Sequence, residues 1–179
     1  AIRLAKLLKK NGIGQRMKIV GNLSPAMLGY YYHLKDAVKH QDLSDYVNFQ
    51  VNVSFDKLLS LISGAKVYFH PLPGEPFGIS TVEAMSAGLI PIVPSIGGHT
   101  EFVPLKYQFR TFPEAVESIA VAMDAPFSER IIISNSVRRF SISNYIKRFQ
   151  QIVKEMLIIP PKTNYQKIKS VSPIVSETY

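Results

Sequence analysis

The sequence predicts an α/β fold, a Rossmann-like parallel sheet with helices on both faces, and three observations carry that reading. Short apolar runs alternate along the chain with longer stretches of helical periodicity. Glycine, alone or as Asn-Gly, stops three of the helical stretches, at Gly12, Gly64 and Gly88. The helices between the apolar runs are about ten residues or longer, as the crossovers between parallel strands require.

Element by element, Leu4, Leu7 and Leu8 share one side of a helix over residues 2–10, which Asn11-Gly12 ends. Residues 17–21 (MKIVG) read as a short buried strand. Ser24-Pro25 offers an N-cap and a first helical residue to a helix reaching His40, with Met27, Tyr31, Leu34 and Val38 on its buried side. Residues 46–51 alternate as a strand. Ser54 opens a helix carrying Phe55, Leu58, Leu59 and Ile62, and a strand follows over 66–69. Beyond a loop at 70–78 come a helix over 79–87, a strand over 89–93 interrupted by Pro91, and a last strand over 105–110. Helices over 113–123, 127–138 and 142–157 close the domain, which is expected to span 1–158 and to lack a first strand before residue 1; residues 159–179 read as a mobile tail.

Composition narrows the function. With 46% hydrophobic and 19% charged residues the chain is globular over most of its length, and with no cysteine it has no disulfide, thiolate metal site or thiol nucleophile. No apolar run approaches the roughly 20 residues that cross a bilayer, which makes a cytoplasmic location the expectation. The formal charge of +8 is concentrated at the ends: residues 1–18 hold six basic and no acidic residues, and residues 138–169 eight basic and one acidic. Such ends suit an anionic membrane surface, placing the protein peripherally at the cytoplasmic face, or serve as solvated helix faces, since Lys6, Lys9 and Lys10 fall opposite Leu4, Leu7 and Leu8. Aromatic and basic residues do not interleave as they do where bases stack, so nucleic acid is not an expected partner. No DxD, HExxH or paired-histidine spacing occurs, and no metal site is expected. Gly12-Ile13-Gly14 is not a dinucleotide fingerprint, because it lacks the third glycine and precedes a strand.

In sheets of this kind ligands bind beyond the carboxyl ends of the strands. The loop HPLPGEPFGISTVEAM, residues 70–85, leaves a strand and enters a helix at Ile79. Gly78 at the junction allows a close backbone approach, and the amides of Ile79, Ser80 and Thr81 make a place for phosphate oxygens. Glu75 and Glu83 flank that place. Carboxylates accept hydrogen bonds, so the pair suits hydroxyls on either side of a diphosphate, as in a sugar diphosphonucleoside. His70 reads as a rim residue or a group near the donor phosphates, while His33, His40 and His99 read as structural or solvated. Met17, Met27 and Met85 read as core filling.

Glu75 and Glu83, with seven residues between them in EPFGISTVEAMSAG, resemble the E-x7-E signature of family 4 (group 1) retaining glycosyltransferases of the GT-B fold. The likeness runs on through residues 89–93 and the turn Gly97-Gly98 followed by Glu101, and EPFGIS is similar to mannosyltransferases of lipid-linked oligosaccharide assembly. The resemblance implies the C-terminal, donor-binding domain of such an enzyme. It places Glu75 against the donor sugar as the catalytic carboxylate, the backbone of Phe77, Gly78 and Ile79 near sugar and diphosphate, and Glu83 on the ribose hydroxyls. It also implies Gly21 near the nucleotide and Asn52 and Val53 along the base, although Gln50 and Val51 follow Phe49 where the family carries a glycine. The implied reaction moves a hexosyl group from a UDP- or GDP-linked sugar to a glycan, lipid-linked or protein acceptor, with retention, without a metal and without a cofactor. The acceptor would sit in a domain outside this chain, which alone would bind donor and catalyse little. Two other readings stand beside it: a non-catalytic sugar-nucleotide-binding domain, and a GT-B epimerase-type enzyme.

Overall fold

The structure, a computed structural model, describes residues 1–14 and 16–158, so the expected tail lies outside the described residues. The chain divides into two units, Ala1–Arg139 and Phe140–Tyr179.

In the first unit the order is α1 (Ile2–Lys10), β1 (Met17–Gly21), a 3-10 turn at Pro25–Met27, α2 (Leu28–His40), β2 (Val47–Val51), α3 (Phe55–Ser63), β3 (Val67–Phe69), α4 (Ile79–Ser86), β4 (Ile90–Pro94), β5 (Gln108–Phe109), α5 (Phe112–Met123) and α6 (Phe127–Ser136). Every strand pairing is parallel, as the α/β reading requires. The strands fall into two sheets, β1-β2 and β3-β4-β5, where the sequence led us to expect one.

β4 is the centre of the arrangement. All five of its residues are buried, and it touches α4 on one hand and α5 on the other, while α4 also packs on α6 and α5 on α1. Helices thus cover both faces, and the continuous apolar run IPIVP is what a strand buried on both faces needs. Its prolines are tolerated for a register reason. Ile90 and Ile92 make the backbone bonds toward β3, to Lys66 and His70, so Pro91 turns its missing N–H toward β5, whose pairing starts only at Val93. Pro94 would next donate toward β3, and there that ladder stops. One cluster holds the core, including Leu4, Leu8, Val47, Ile90, Ile92, Tyr107 and Ile119. A buried Leu or Ile in it contributes roughly 1.5–3 kcal/mol.

Local signals explain the helix ends. Ser54 Oγ accepts from the Lys57 amide, and Thr111 Oγ1 from the Glu114 amide, capping α3 and α5. Gly88, at φ +78°, ends α4 in a Schellman turn in which Leu89 donates to Ala84 and Gly88 to Met85.

Three further expectations change. Ser24 opens a 3-10 turn rather than α2 and makes no side-chain cap, which puts Met27 out of phase: it is 48% exposed instead of core, and of its expected face only Val38 is fully buried. The last strand shrinks to Gln108–Phe109 because Pro104 starts a 3-10 turn over Leu105–Tyr107, closed by Tyr107 N–H to Pro104 and pinned by Gln108 Nε2 on the Val103 carbonyl. Lys9 is not a free solvated cation: its Nζ donates to the Asp42 carbonyl at 2.6 Å and to Asp45 Oδ1 at 2.7 Å.

In the second unit, α7 (Ile142–Ile158) is one helix, as expected. Ile142, Tyr145, Ile146, Phe149, Ile152 and Val153 recur at helical spacing, and the Tyr145 and Phe149 rings stack 6.3 Å apart.

Candidate functional site

The loop leaving β3 is held by the loop leaving β4. Glu75 and Gly97 form a parallel bridge, Gly98 N–H donates to the Glu75 carbonyl at 2.7 Å, and Gly74 N–H donates to Ile96 at 3.1 Å. Glycine is required for that approach. A Cβ on Gly98 would lie 1.8 Å from the Pro76 carbonyl oxygen, and one on Gly97, at φ +119°, would lie 2.7 Å from the Glu75 carbonyl oxygen.

Glu75 is half-buried, and its Oε1 accepts from the Gly78 amide at 3.1 Å. Gly78, at φ +92° and ψ 60°, is the left-handed residue that turns the loop into α4. A Cβ there would meet Thr81 Oγ1 at 3.1 Å and the side chains of Glu75 and His99 at 3.5 Å. At the head of α4 the Thr81 amide is engaged by the Gly78 carbonyl at 3.0 Å, so two amides, those of Ile79 and Ser80, remain for an anion where the sequence offered three. The Phe77 ring lies 5.5 Å from that of Phe102, and Ile79 is 67% exposed beside it. Glu83, one turn along α4, is exposed.

The other expected residues meet at the carboxyl ends of β1 and β2. Gly21 pairs with Val51 and accepts from the Asn52 amide at 3.0 Å. Asn52 takes a left-handed φ of 52° and clasps Leu23, its Oδ1 accepting from the Leu23 amide at 2.7 Å and its Nδ2 donating to the Leu23 carbonyl at 3.1 Å. Val53 follows, half-buried. The structure therefore brings Glu75, Phe77, Gly78, Ile79 and Glu83 together at one sheet, and Gly21, Asn52 and Val53 together at the other. A cleft of about 370 Å³ lined by Tyr31, Lys35, Lys39 and Phe49 involves neither set.

Two histidines gain definition. His99 is fully buried, which removes the solvated reading, and its Nε2 donates to the Pro94 carbonyl at 2.8 Å. His70 is buried beneath Glu75: its Nδ1 is 3.3 Å from Tyr68 Oη, which is 2.8 Å from Ser80 Oγ, and its Nε2 is 3.7 Å from Glu75 Oε2. Burial holds the His70 imidazole below its ordinary value, His99 adds to this, and Glu75 opposes it. Tyr68 was not singled out from the sequence, although strand spacing puts residues 68 and 70 on one face.

A left-handed glycine heading a half-buried helix, bracketed by two carboxylates beyond the ends of parallel strands, is the arrangement that the resemblance to GT-B glycosyltransferases implies. Residues 1–145 match the family described as Glycosyl transferases group 1, and the chain belongs to it. It is 29% identical over 131 residues to the GDP-Man:Man(3)GlcNAc(2)-PP-Dol alpha-1,2-mannosyltransferase of Dictyostelium discoideum, covering 69% of this chain and 26% of that protein. With the Xenopus laevis protein of the same description it shares 31% identity over 163 residues, 81% of this chain and 33% of that protein. The chain thus spans about a quarter to a third of these relatives' length. A glycosyltransferase structure from Rickettsia africae superposes with a TM-score of 0.73 at 16% identity, covering 89% of this chain and 44% of that one. A sucrose-phosphate synthase from Thermosynechococcus elongatus superposes at 0.69 with 20% identity, covering 86% and 42%. Both share the fold.

Proposed function

We propose that this chain is the donor-binding part of a glycosyltransferase that moves a hexosyl group from a nucleotide-sugar to an acceptor with retention and without a metal. The observation that carries the reading is Gly78 at the head of α4, with two unbonded amides beside it and Glu75 and Glu83 on either side. The amides and the positive end of the helix suit the diphosphate, whose charge grows as it departs. Glu75 faces the sugar hydroxyls and Glu83 the ribose hydroxyls, both as acceptors. Gly21, Asn52 and Val53 receive the nucleoside, where the clasp of Asn52 on Leu23 fixes the loop between them. The descriptions of the relatives support GDP-mannose as donor and a Man(3)GlcNAc(2)-PP-Dol type of acceptor, held by parts of the protein beyond this chain.

Calorimetric titration of the full-length natural polypeptide with GDP, UDP, ADP and their hexose conjugates tests this. Saturable binding to the guanine nucleotides is expected, weakened about tenfold in Glu83→Ala by loss of its charged hydrogen bonds. No binding to any of the nucleotides sinks the reading. A peripheral seat on an anionic membrane, supported by the basic ends of the chain, belongs to the same proposal. Vesicle co-sedimentation should rise with anionic lipid content, and a response indifferent to that content removes it.

A further inference from the structure

Three buried polar atoms surround the Glu75–Gly78 turn without a hydrogen-bond partner in the protein: His70 Nε2, Thr81 Oγ1 and His99 Nδ1. The three residues are 9%, 0% and 0% exposed. Buried polar atoms left unmatched are costly, and a fold retains them where something else uses them. The His70 and His99 rings meet edge to face at 5.5 Å, and the place of a Cβ on Gly78 touches both Thr81 and His99.

The direction of the hydrogen bonds fixes what His70 offers. Tyr68 Oη stands between Ser80 Oγ and His70 Nδ1, and its proton can point either way. With Tyr68 donating to Ser80, Nδ1 would carry the imidazole proton and the bare Nε2 lone pair would face the Glu75 carboxylate at 3.7 Å, a repulsive arrangement. With Ser80 donating to Tyr68 and Tyr68 to Nδ1, the proton sits on Nε2 and faces Glu75. The carboxylate selects the second arrangement. Glu75 Oε1 is already engaged by the Gly78 amide, so Oε2 is the oxygen that His70 addresses.

We propose that His70 is a positioning residue for Glu75, presenting Nε2–H to Oε2 and thereby setting the orientation in which the carboxylate meets the sugar of the donor. This rests on the reading of Glu75 as the sugar-side carboxylate. Tyr68 and Ser80 hold His70 in the required tautomer. The groups facing His70 are Tyr68 on β3, Glu75 in the loop and His99 after β4. Protonated His70 would draw Glu75 into an ion pair and away from the sugar, and because its folded value lies below the ordinary 6.5, that change falls on the acid side of it.

The test compares affinities for GDP-mannose and for GDP in the full-length natural polypeptide, by calorimetry across pH, with thermal unfolding as a check on folding. His70→Phe removes the donor, whereas His70→Gln restores an N–H near the place of Nε2. The GDP-mannose to GDP affinity ratio should fall about tenfold in His70→Phe, hold within about twofold in His70→Gln, and fall by a smaller factor in Tyr68→Phe. In the wild type the ratio should drop on acidification, and in His70→Gln it should stay level. An unchanged ratio in His70→Phe overturns the proposal, as does an equal loss in His70→Gln, which would mean the ring only packs. If His70→Phe does not fold, Tyr68→Phe decides, an unchanged ratio counting against the proposal. A wild type that binds neither GDP nor GDP-mannose removes the donor reading and this inference together, while GDP binding with a ratio insensitive to His70 removes only the inference.

Discussion

Gly98→Ala should destabilise the first unit by about 3 kcal/mol or more and abolish donor binding with it, an outcome at the far end of what single substitutions do. The new Cβ would stand 1.8 Å from the Pro76 carbonyl oxygen, 2.7 Å from its carbon and 3.1 Å from the Phe77 Cα. All three are backbone atoms, so no rotamer change relieves the clash, and the loop carrying Glu75 must leave its bridge to Gly97. Denaturant unfolding read against Gly29→Ala, a position where a Cβ meets nothing within 4 Å, checks this. Equal midpoints for the two variants would mean that the loops part without cost.

Glu75→Gln should reduce sugar transfer by the full-length protein about a hundredfold or more, with little change in stability, since the proposed reading places its charged carboxylate on the hydroxyls of the donor sugar. The amide keeps the size of the carboxylate. Its Oε1 can still accept from Gly78, so the turn should survive, but half of the acceptor capacity becomes a donor and the charge facing His70 is gone. Initial rates with donor saturating and acceptor varied check it, beside an unfolding curve. Full activity in the variant would exclude Glu75 from the chemistry, whereas saturable donor binding with no transfer even in the wild type would favour a domain that binds sugar nucleotides without transferring them.

The parts of the fold legible in the sequence are those ruled by local chemistry. Gly12 and Gly88 read as helix stops because few other residues tolerate the left-handed region, and both take positive φ. The helices at residues 55–63, 79–86 and 142–158 announced themselves through periodicity and caps. What escaped depends on neighbours remote in sequence. Met27 keeps a helical spacing yet sits in a 3-10 turn, and no pattern reveals which turn Ser24-Pro25 will start. The grouping of the strands into two sheets depends on pairing across distant segments, about which alternation says nothing. At the site, the motif around Glu75 and Glu83 was visible because its spacing is local, whereas His99 looked like any histidine in a loop. It is fully buried, with Nε2 on the Pro94 carbonyl five residues back, where the chain folds over on itself.

The bridge between Glu75 and Gly97 ties two stretches of chain into one cassette. Residues 70–86 and 95–103 should therefore be inherited, or transplanted between relatives, as a matched pair: a chimera that exchanges one and keeps the other would set a foreign backbone against the two glycines. On the proposed reading, the loop that meets the donor sugar takes its contour from its neighbour, and a library aimed at changing the sugar has to diversify both together.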